Sequence, residues 1–344
     1  MIRNPPLRFV PYREVGDRPN IVVDGAPLRS TVLTLSHWPV NATPEPFKRE
    51  TSTETALAYV EDHDPQRLAG IVTNNHFDED GLFSMFTVLN RRSALRHREL
   101  LGDAARAGDF GVFRHRDAAR LCFVIESLAD PRSSPLPPDT FTGTGARRVV
   151  RLYRLMLPRL PRLLENPARY RRFWQLQDQH LAASEALIAD GRVTIEEEPE
   201  LDLAIVRIPA DLPARPVWRY LQREQSPVHP FAIHNRTRCT RLVRIQGRRL
   251  EVQYRYESWL QIRSRRPALR VDLTAFAGWL NRRERHGRWA FESATTTLAP
   301  RLGLAGGRAS SLSPEVILRA LREQLRTLPP VWDPYDWVPP KPRS

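Results

Sequence analysis

The sequence predicts an α/β protein in two parts: a parallel-sheet first domain over residues 1–130 and an α+β second domain over 146–344, joined by a linker at 131–145. Three observations predict it. Short β-branched apolar runs alternate with helical patterns in the first third of the chain. Residues 131–145 hold four prolines among small polar residues, with no apolar periodicity. Beyond them a mostly helical stretch gives way to strand-like alternation.

In the first part, Asn20–Asp24, Thr31–Leu35 and Ala69–Thr73 read as buried strands. Between the last two, Thr51–Val60 reads as a helix capped by Ser52 or Thr53, and Leu82–Leu89 begins another. Beyond the linker, Arg147–Ala189 is helical, broken at Pro158, Pro161 and Pro167, where a backbone donor is missing. Val193–Glu197 and Leu203–Ile208 read as strands. Arg241–Ile245 and Leu250–Tyr256 read as a hairpin whose second arm alternates apolar and polar residues. Leu273–Arg283 and Pro314–Leu325 read as helices, and no internal repeat is visible.

Composition excludes collagen-like and wholly disordered classes. The 344 residues are 41% hydrophobic and 27% charged, the balance of a soluble globular chain. No apolar stretch approaches the roughly 18–20 residues of a membrane helix, so no membrane partner is expected. Residues 1–16 carry three arginines and three prolines where a signal peptide would be apolar. Cys122 and Cys239 form no CxxC pair and lie too far apart in sequence to suggest a zinc site or a disulfide framework. These features together predict a cytoplasmic protein. The 53 basic and 39 acidic residues leave a charge of +14, carried almost wholly by arginine because Lys48 and Lys341 are the only lysines. Such an excess fits a polyanionic partner or a solvated basic surface.

The segment Thr73–Ser84, TNNHFDEDGLFS, sets His76, Asp78 and Asp80 at alternate positions between a predicted strand and a predicted helix. Oxygen and imidazole donors from one curled loop can converge on a hard divalent cation, and Gly81 permits a tight turn ahead of the helix. Carboxylates ahead of a helix also complement its dipole, so a charged capping loop without metal is the alternative. Asp24 ends one predicted strand and His37 closely follows another. In a parallel sheet the carboxyl ends of the strands line one crevice, where ligands bind. Asp24, His37 and the trio at 76–80 are thereby offered to one site.

These residues resemble the motifs of the DHH phosphoesterase superfamily, whose members include manganese-dependent pyrophosphatases, single-strand exonucleases, and oligonucleotide or cyclic-dinucleotide phosphodiesterases. Its first motif, HxDxDGxxS, is similar to His76 through Ser84 at every defined position. The aspartate of its second resembles Asp24, and its Asp-His-His triplet resembles Ser36-His37-Trp38-Pro39-Val40-Asn41. The resemblance spans roughly Asn20–Phe110. It implies His76, Asp78, Asp80 and His37 as ligands and Asp24 as a carboxylate bridging two ions, with Asp24, His37, Asp78 and Asp80 carrying catalysis. A further acidic ligand is expected, with Asp109 preferred to Asp103 and a surface-loop aspartate as the alternative. Manganese, or magnesium, suits such a carboxylate-rich, thiolate-free set. Two ions would activate a water for attack on phosphorus. The chain departs from the family in three ways. The first motif follows the other two, as in a circular permutation. Trp38 stands where the second histidine is expected. The glycine-rich substrate signature ending in histidine is missing, with Gly306-Gly307-Arg308 its nearest fragment.

The second part interleaves arginine with aromatic residues at Arg171–Trp174, Tyr254–Arg266 and Arg285–Trp289. Arginine pairs with phosphate and aromatic rings stack on bases, so a nucleotide or single-stranded nucleic acid is the expected partner, with packed aromatics and solvated arginines as the alternative. His229 and His234 lack nearby acids, and Asp178 and His180 point to different faces of a helix. No GxSxG, GxxxxGK[ST] or GxGxxG motif supports a hydrolase triad, a P-loop or a Rossmann turn. The expected activity is metal-dependent hydrolysis of a phosphodiester or phosphoanhydride in a nucleotide or short nucleic acid. The competing expectation is a noncatalytic relative that binds nucleic acid or another partner through its arginine-rich second half.

Overall fold

The computed structural model describes residues 6–39 and 41–336. Val40 of the Ser36–Asn41 segment and Lys341 lie outside the described residues. The chain divides into two units, residues 1–179 with 216–224, and residues 180–215 with 225–344. Both mix helices with sheets that contain parallel pairs. Residues 131–145, expected as a linker, lie within the first unit. They form a 3-10 turn at Pro138–Phe141 and lead into a helix at Gly145.

In the first unit, β1 (Arg8–Phe9), β2 (Asn20–Val23), β3 (Thr31–Leu35) and β4 (Ile71–Thr73) form a sheet of order β1-β4-β2-β3, parallel at every pair. Ile21, Val22, Val23, Ile71 and Val72 are all buried, which explains the unbroken apolar runs: strands covered on both faces need no polar alternation. The return from β2 to its neighbour β3 uses only residues 24–30, without a helix. Asp24 starts this reversal in the left-handed region, at φ 46°.

The helices of this unit are α1 (Ser52–Asp62), α2 (Glu79–Leu89), α3 (Arg91–Arg96), α4 (Arg98–Phe110), α5 (Arg116–Ala129), α6 (Gly145–Met156), α7 (Leu160–Glu165) and the first part of α8 (Arg171–Ala189). Helices α1, α2, α4 and α5 pack on one another. The cap of α1 is Thr51, in a reciprocal capping box with Glu54, and not Ser52 or Thr53 as the sequence suggested. Helix α2 starts three residues ahead of the expected Leu82, because Asp78 caps it through the Gly81 amide. Gly81 therefore lies inside the helix and makes no turn. A Cβ there would sit 2.7 Å from Asn74 Nδ2 and 2.8 Å from Tyr153 Oη, so a side chain at this position would have to displace that hydrogen-bonded pair.

The second unit holds β5 (Thr194–Glu198), β6 (Leu203–Ile208), β9 (Arg241–Gln246), β10 (Arg249–Tyr254), β12 (Trp289–Phe291) and β13 (Arg301–Leu304), in the order β12-β13-β10-β9-β6-β5. Only β6 and β9 pair in parallel; β9 and β10 form the expected hairpin, with Arg249 opposite Gln246. In this unit β11 (Arg270–Val271) pairs with β14 (Pro330–Trp332), whereas the short strands β7 (Arg215–Arg219) and β8 (Gln222–Ser226), which pair with each other, lie mostly in the 216–224 segment of the first unit. Helices α10 (Thr274–Asn281) and α11 (Pro314–Thr327) pack their apolar faces on the larger sheet, whereas α9 (Pro230–His234) is a single turn. The arginine–aromatic clusters are largely packed. Trp174, Tyr254, Tyr256 and Trp289 are buried, Trp174 lies under Arg120, and Trp259 stacks on Trp332. Among the described residues no helix is long and apolar enough to cross a membrane.

Candidate metal centre

The carboxyl ends of β2, β3 and β4 bring Asp24, His37 and the loop 74–80 to one place in the first unit. Asp24 directly follows β2 and is buried. Its Oδ2 lies 3.1 Å from His76 Nε2, and its Oδ1 lies 3.5 Å from His37 Nε2 and accepts from Ser52 Oγ at 2.8 Å. His76 Nε2 is also 3.0 Å from Asp78 Oδ2. On the other side, His37 Nε2 lies 3.8 Å from Asp80 Oδ2 and 3.4 Å from Asp109 Oδ2. Two trios result, Asp24–His76–Asp78 and Asp24–His37–Asp80, each with its donor atoms within 4.8 Å of one another. They share Asp24, which faces one trio with each oxygen.

Backbone and neighbouring side chains fix these groups. His37 Nδ1 lies 2.7 Å from the Glu50 carbonyl oxygen, which can only accept, so Nδ1 carries a proton and Nε2 is turned toward the carboxylates. A ligating histidine is held in this way when a carbonyl orients its far nitrogen. Asp80 accepts from the Ser52 and Thr53 amides at 2.7 Å each, so it occupies the positive end of α1. The Ser52 hydroxyl accepts from the His37 amide at 3.1 Å while donating to Asp24. The Trp38 indole stacks on the His76 ring, with centroids 5.0 Å apart. Ser84, the last residue of the motif, donates to the Gly81 carbonyl inside α2 and takes no part in the cluster.

Asp109 is neither exposed nor in a loop: it lies near the end of α4, buried, and its Oδ2 accepts no hydrogen bond among the described residues. Asp103 is structural and accepts from the Arg114 and His115 amides.

Burial and crowding dominate the electrostatics. Burial, then the charges of Asp78 and Asp80, push Asp24 up to about 7. Asp109 is held well above the carboxylate range by burial, then by Asp80, Asp78 and Asp24. Burial alone would lower His76, but Asp78 and Asp24 raise it well above its ordinary value. Asp78 is lowered: burial raises it, and His76 and the Gly81 amide outweigh that. Behind the cluster, burial and then Asp78 push Glu79 to about 8, and burial and then Glu79 hold Glu126 far above its ordinary value. Without a compensating cation, carboxylates packed this way resist ionising. Oxygen and imidazole donors with no thiolate fit a hard or borderline divalent ion.

Several residues of the site carried no sequence signal. Arg219 reaches over from residues 216–224 and donates to the carbonyl oxygens of Gly108 and Asp109, which places a cation beside Asp109, Glu79 and Glu126. Tyr153 Oη accepts from Asn74 Nδ2 at 3.0 Å and braces the loop. A Cβ on Gly25 would fall 2.2 Å from Asn75 Oδ1, so this glycine also makes room for the loop. Of the other candidates, His180 lies near the Pro227 carbonyl and Asp178 pairs with Arg116 and Arg120, as structural groups. His229 caps α9. The Gly306–Gly307 fragment is an exposed turn.

A model described as "Family of unknown function (DUF6687)" matches residues 5–336. No curated protein and no solved structure matches the chain significantly.

Proposed function

This chain belongs to the DUF6687 family, and from the site it carries we propose a divalent-cation-dependent phosphoesterase that hydrolyses a phosphodiester or phosphoanhydride in a nucleotide or short nucleic acid. One observation carries the reading: Asp24 presents its two oxygens to two separate ligand trios. His76 and Asp78 would hold one ion, His37 and Asp80 a second with Asp109 beside it, and Asp24 would belong to both. Ions held there supply Lewis acidity to a phosphoryl oxygen and lower the pKa of a water. The chain's own residues keep the ligands in place: Glu50 orients His37, the first amides of α1 orient Asp80, and Gly81 orients Asp78. Arg219 offsets part of the negative charge behind the cluster. Manganese suits the donor set better than zinc, with magnesium the weaker alternative, and a circularly permuted relation to the DHH phosphoesterases belongs to the same proposal.

Trp38 favours a second reading. An indole on His76 cannot transfer a proton as the histidine of a DHH triplet would, so the chain could bind metal without turning over substrate. One experiment separates the two. The purified protein is analysed for bound manganese, then assayed on pyrophosphate, linear and cyclic dinucleotides, single-stranded oligonucleotides and bis(p-nitrophenyl) phosphate, with and without chelator. Manganese-dependent turnover that chelator removes supports the hydrolase. Stoichiometric metal with no turnover on any substrate supports the binding protein.

A further inference from the structure

The first unit carries a cavity of about 770 Å³ that His76 helps to line. The rest of its wall comes from Phe9 at the end of β1, from residues 11–14, from Asn74 and Asn75, and from one side of α6 between residues 144 and 154. Of the candidate ligand side chains, His76 and Asp78 are each 27% exposed, whereas Asp24, His37, Asp80 and Asp109 are at 5% or below. The cluster is therefore open on its His76 side, where this cavity lies.

Four guanidinium groups line it: Arg13, Arg147, Arg151 and Arg154. The last three are spaced i, i+4, i+7 on α6, which puts them on one face over about 10 Å of helix. The fold makes little use of them. Arg151 donates to Thr142 and lies 4.0 Å from Asp139, but among the described residues no hydrogen bond or ion pair engages the side chains of Arg13, Arg147 or Arg154. Arg148, off this face, donates instead to the Ala129 carbonyl and covers Phe141. Like charges at i, i+4 destabilise a helix, so the row is a cost that a bound anion removes. Glu14 is the one carboxylate in the wall, against four arginines. The N-terminus of α6, at Thr144–Ala146, adds its positive end to the same wall, and Phe9, Tyr12, Val149 and Val150 give it an apolar side.

The geometry points to an anion subsite. Arg13 and the α6 row hold a second phosphate of a substrate whose reacting phosphate lies at the His76 end, with its sugar or base against Phe9 and Tyr12. The substrate class is then a small molecule bearing at least two phosphates, of a size suited to this cavity. This assignment of substrate rests on the hydrolase reading, so the test uses binding without turnover. Inorganic tripolyphosphate is titrated calorimetrically into the full chain in the presence of chelator. Wild type is expected to bind, more weakly as salt rises, and Arg147→Gln/Arg154→Gln is expected to weaken binding at least tenfold with an unchanged circular dichroism spectrum. Arg92→Gln, an exposed arginine outside the cavity, is expected to stay within twofold. No binding by wild type, or equal binding by the double variant, overturns the subsite. Wild type that binds tripolyphosphate yet hydrolyses nothing with manganese leaves the subsite standing and overturns only the hydrolase.

Discussion

Asp24 is the residue on which the two trios depend, and its backbone explains why an acid can stand there. At φ 46° it lies in the left-handed region, which asparagine and aspartate enter more readily than most residues. Asp24→Asn therefore keeps the turn and can keep the Ser52 bond while removing the shared charge. It is expected to lower manganese affinity at least about 100-fold, beyond the usual effect of losing a group that only orients a ligand. Its stability in chelator should match or exceed wild type at pH 8, where the native carboxyl, pushed to about 7, is a costly buried charge. Calorimetric metal titration and thermal unfolding check both halves, and full manganese affinity in the variant refutes the shared role. Asp80→Ala differs. Because Asp80 also accepts the first amides of α1, its loss should cost about 1–2 kcal/mol even without metal, measured by urea unfolding. Asp24, His37, His76, Asp78 and Asp80 were legible because each directly follows or lies near a strand end, a local signal. Arg219 was not, because it acts on Asp109 from more than a hundred residues away, through packing that no short pattern records.

At the scale of elements, α2 and α4 approach so closely that a side chain is excluded. A Cβ on Gly108 would fall 2.6 Å from Glu79 Cβ, an atom tied to the α2 backbone that cannot swing aside. Gly108→Ala is expected to destabilise by about 1–3 kcal/mol in urea unfolding, despite alanine's better helix propensity. A stability equal to or above wild type shows that the two helices can separate at no cost. On α5, Glu126 supplies a pH test. Its folded pKa is raised above the unfolded value, so its contribution is fully present below about pH 4 and is lost as pH rises toward the folded value. Glu126→Gln lacks this loss, so its stability relative to wild type should rise as pH increases above about 5; a difference that does not change with pH contradicts the assignment. The parallel strands of the first unit could be read from their unbroken apolar runs, and the β9–β10 hairpin from the alternation of its second arm. Helix α5 could not, because Leu121–Ile125 is buried on every side and its apolar run reads equally as a strand. Strand β1 is two residues long, too short for any period to show.

At the scale of the molecule, a basic chain buries a cluster of acids. The formal charge is +14, yet Asp24, Glu79, Asp80, Asp109 and Glu126 are all buried in one region of the first unit. Acidic side chains crowd that interior, with Arg219 beside them, while arginines line the open cavity, so a cation in the cluster would offset the interior and an anion in the cavity would offset the exterior. Ligands must be deprotonated to bind metal, so affinity should rise with pH. A ligand present at 100 times its Kd stabilises the folded state by about 2.7 kcal/mol, which for a unit of this size raises Tm by about 5–10 °C. Manganese at that ratio should produce such a shift in a thermal scan followed by tryptophan fluorescence, since Trp38 stacks on a candidate ligand. At one fixed manganese concentration the shift should be larger at pH 8 than at pH 6 and should be nearly lost in Asp24→Asn. Magnesium should give a smaller shift of the same sign, because it tolerates imidazole poorly. A Tm that manganese leaves unmoved at both pH values, with no metal bound by direct analysis, would show the cluster to be a buried proton-sharing network and would remove the basis for the phosphoesterase proposal.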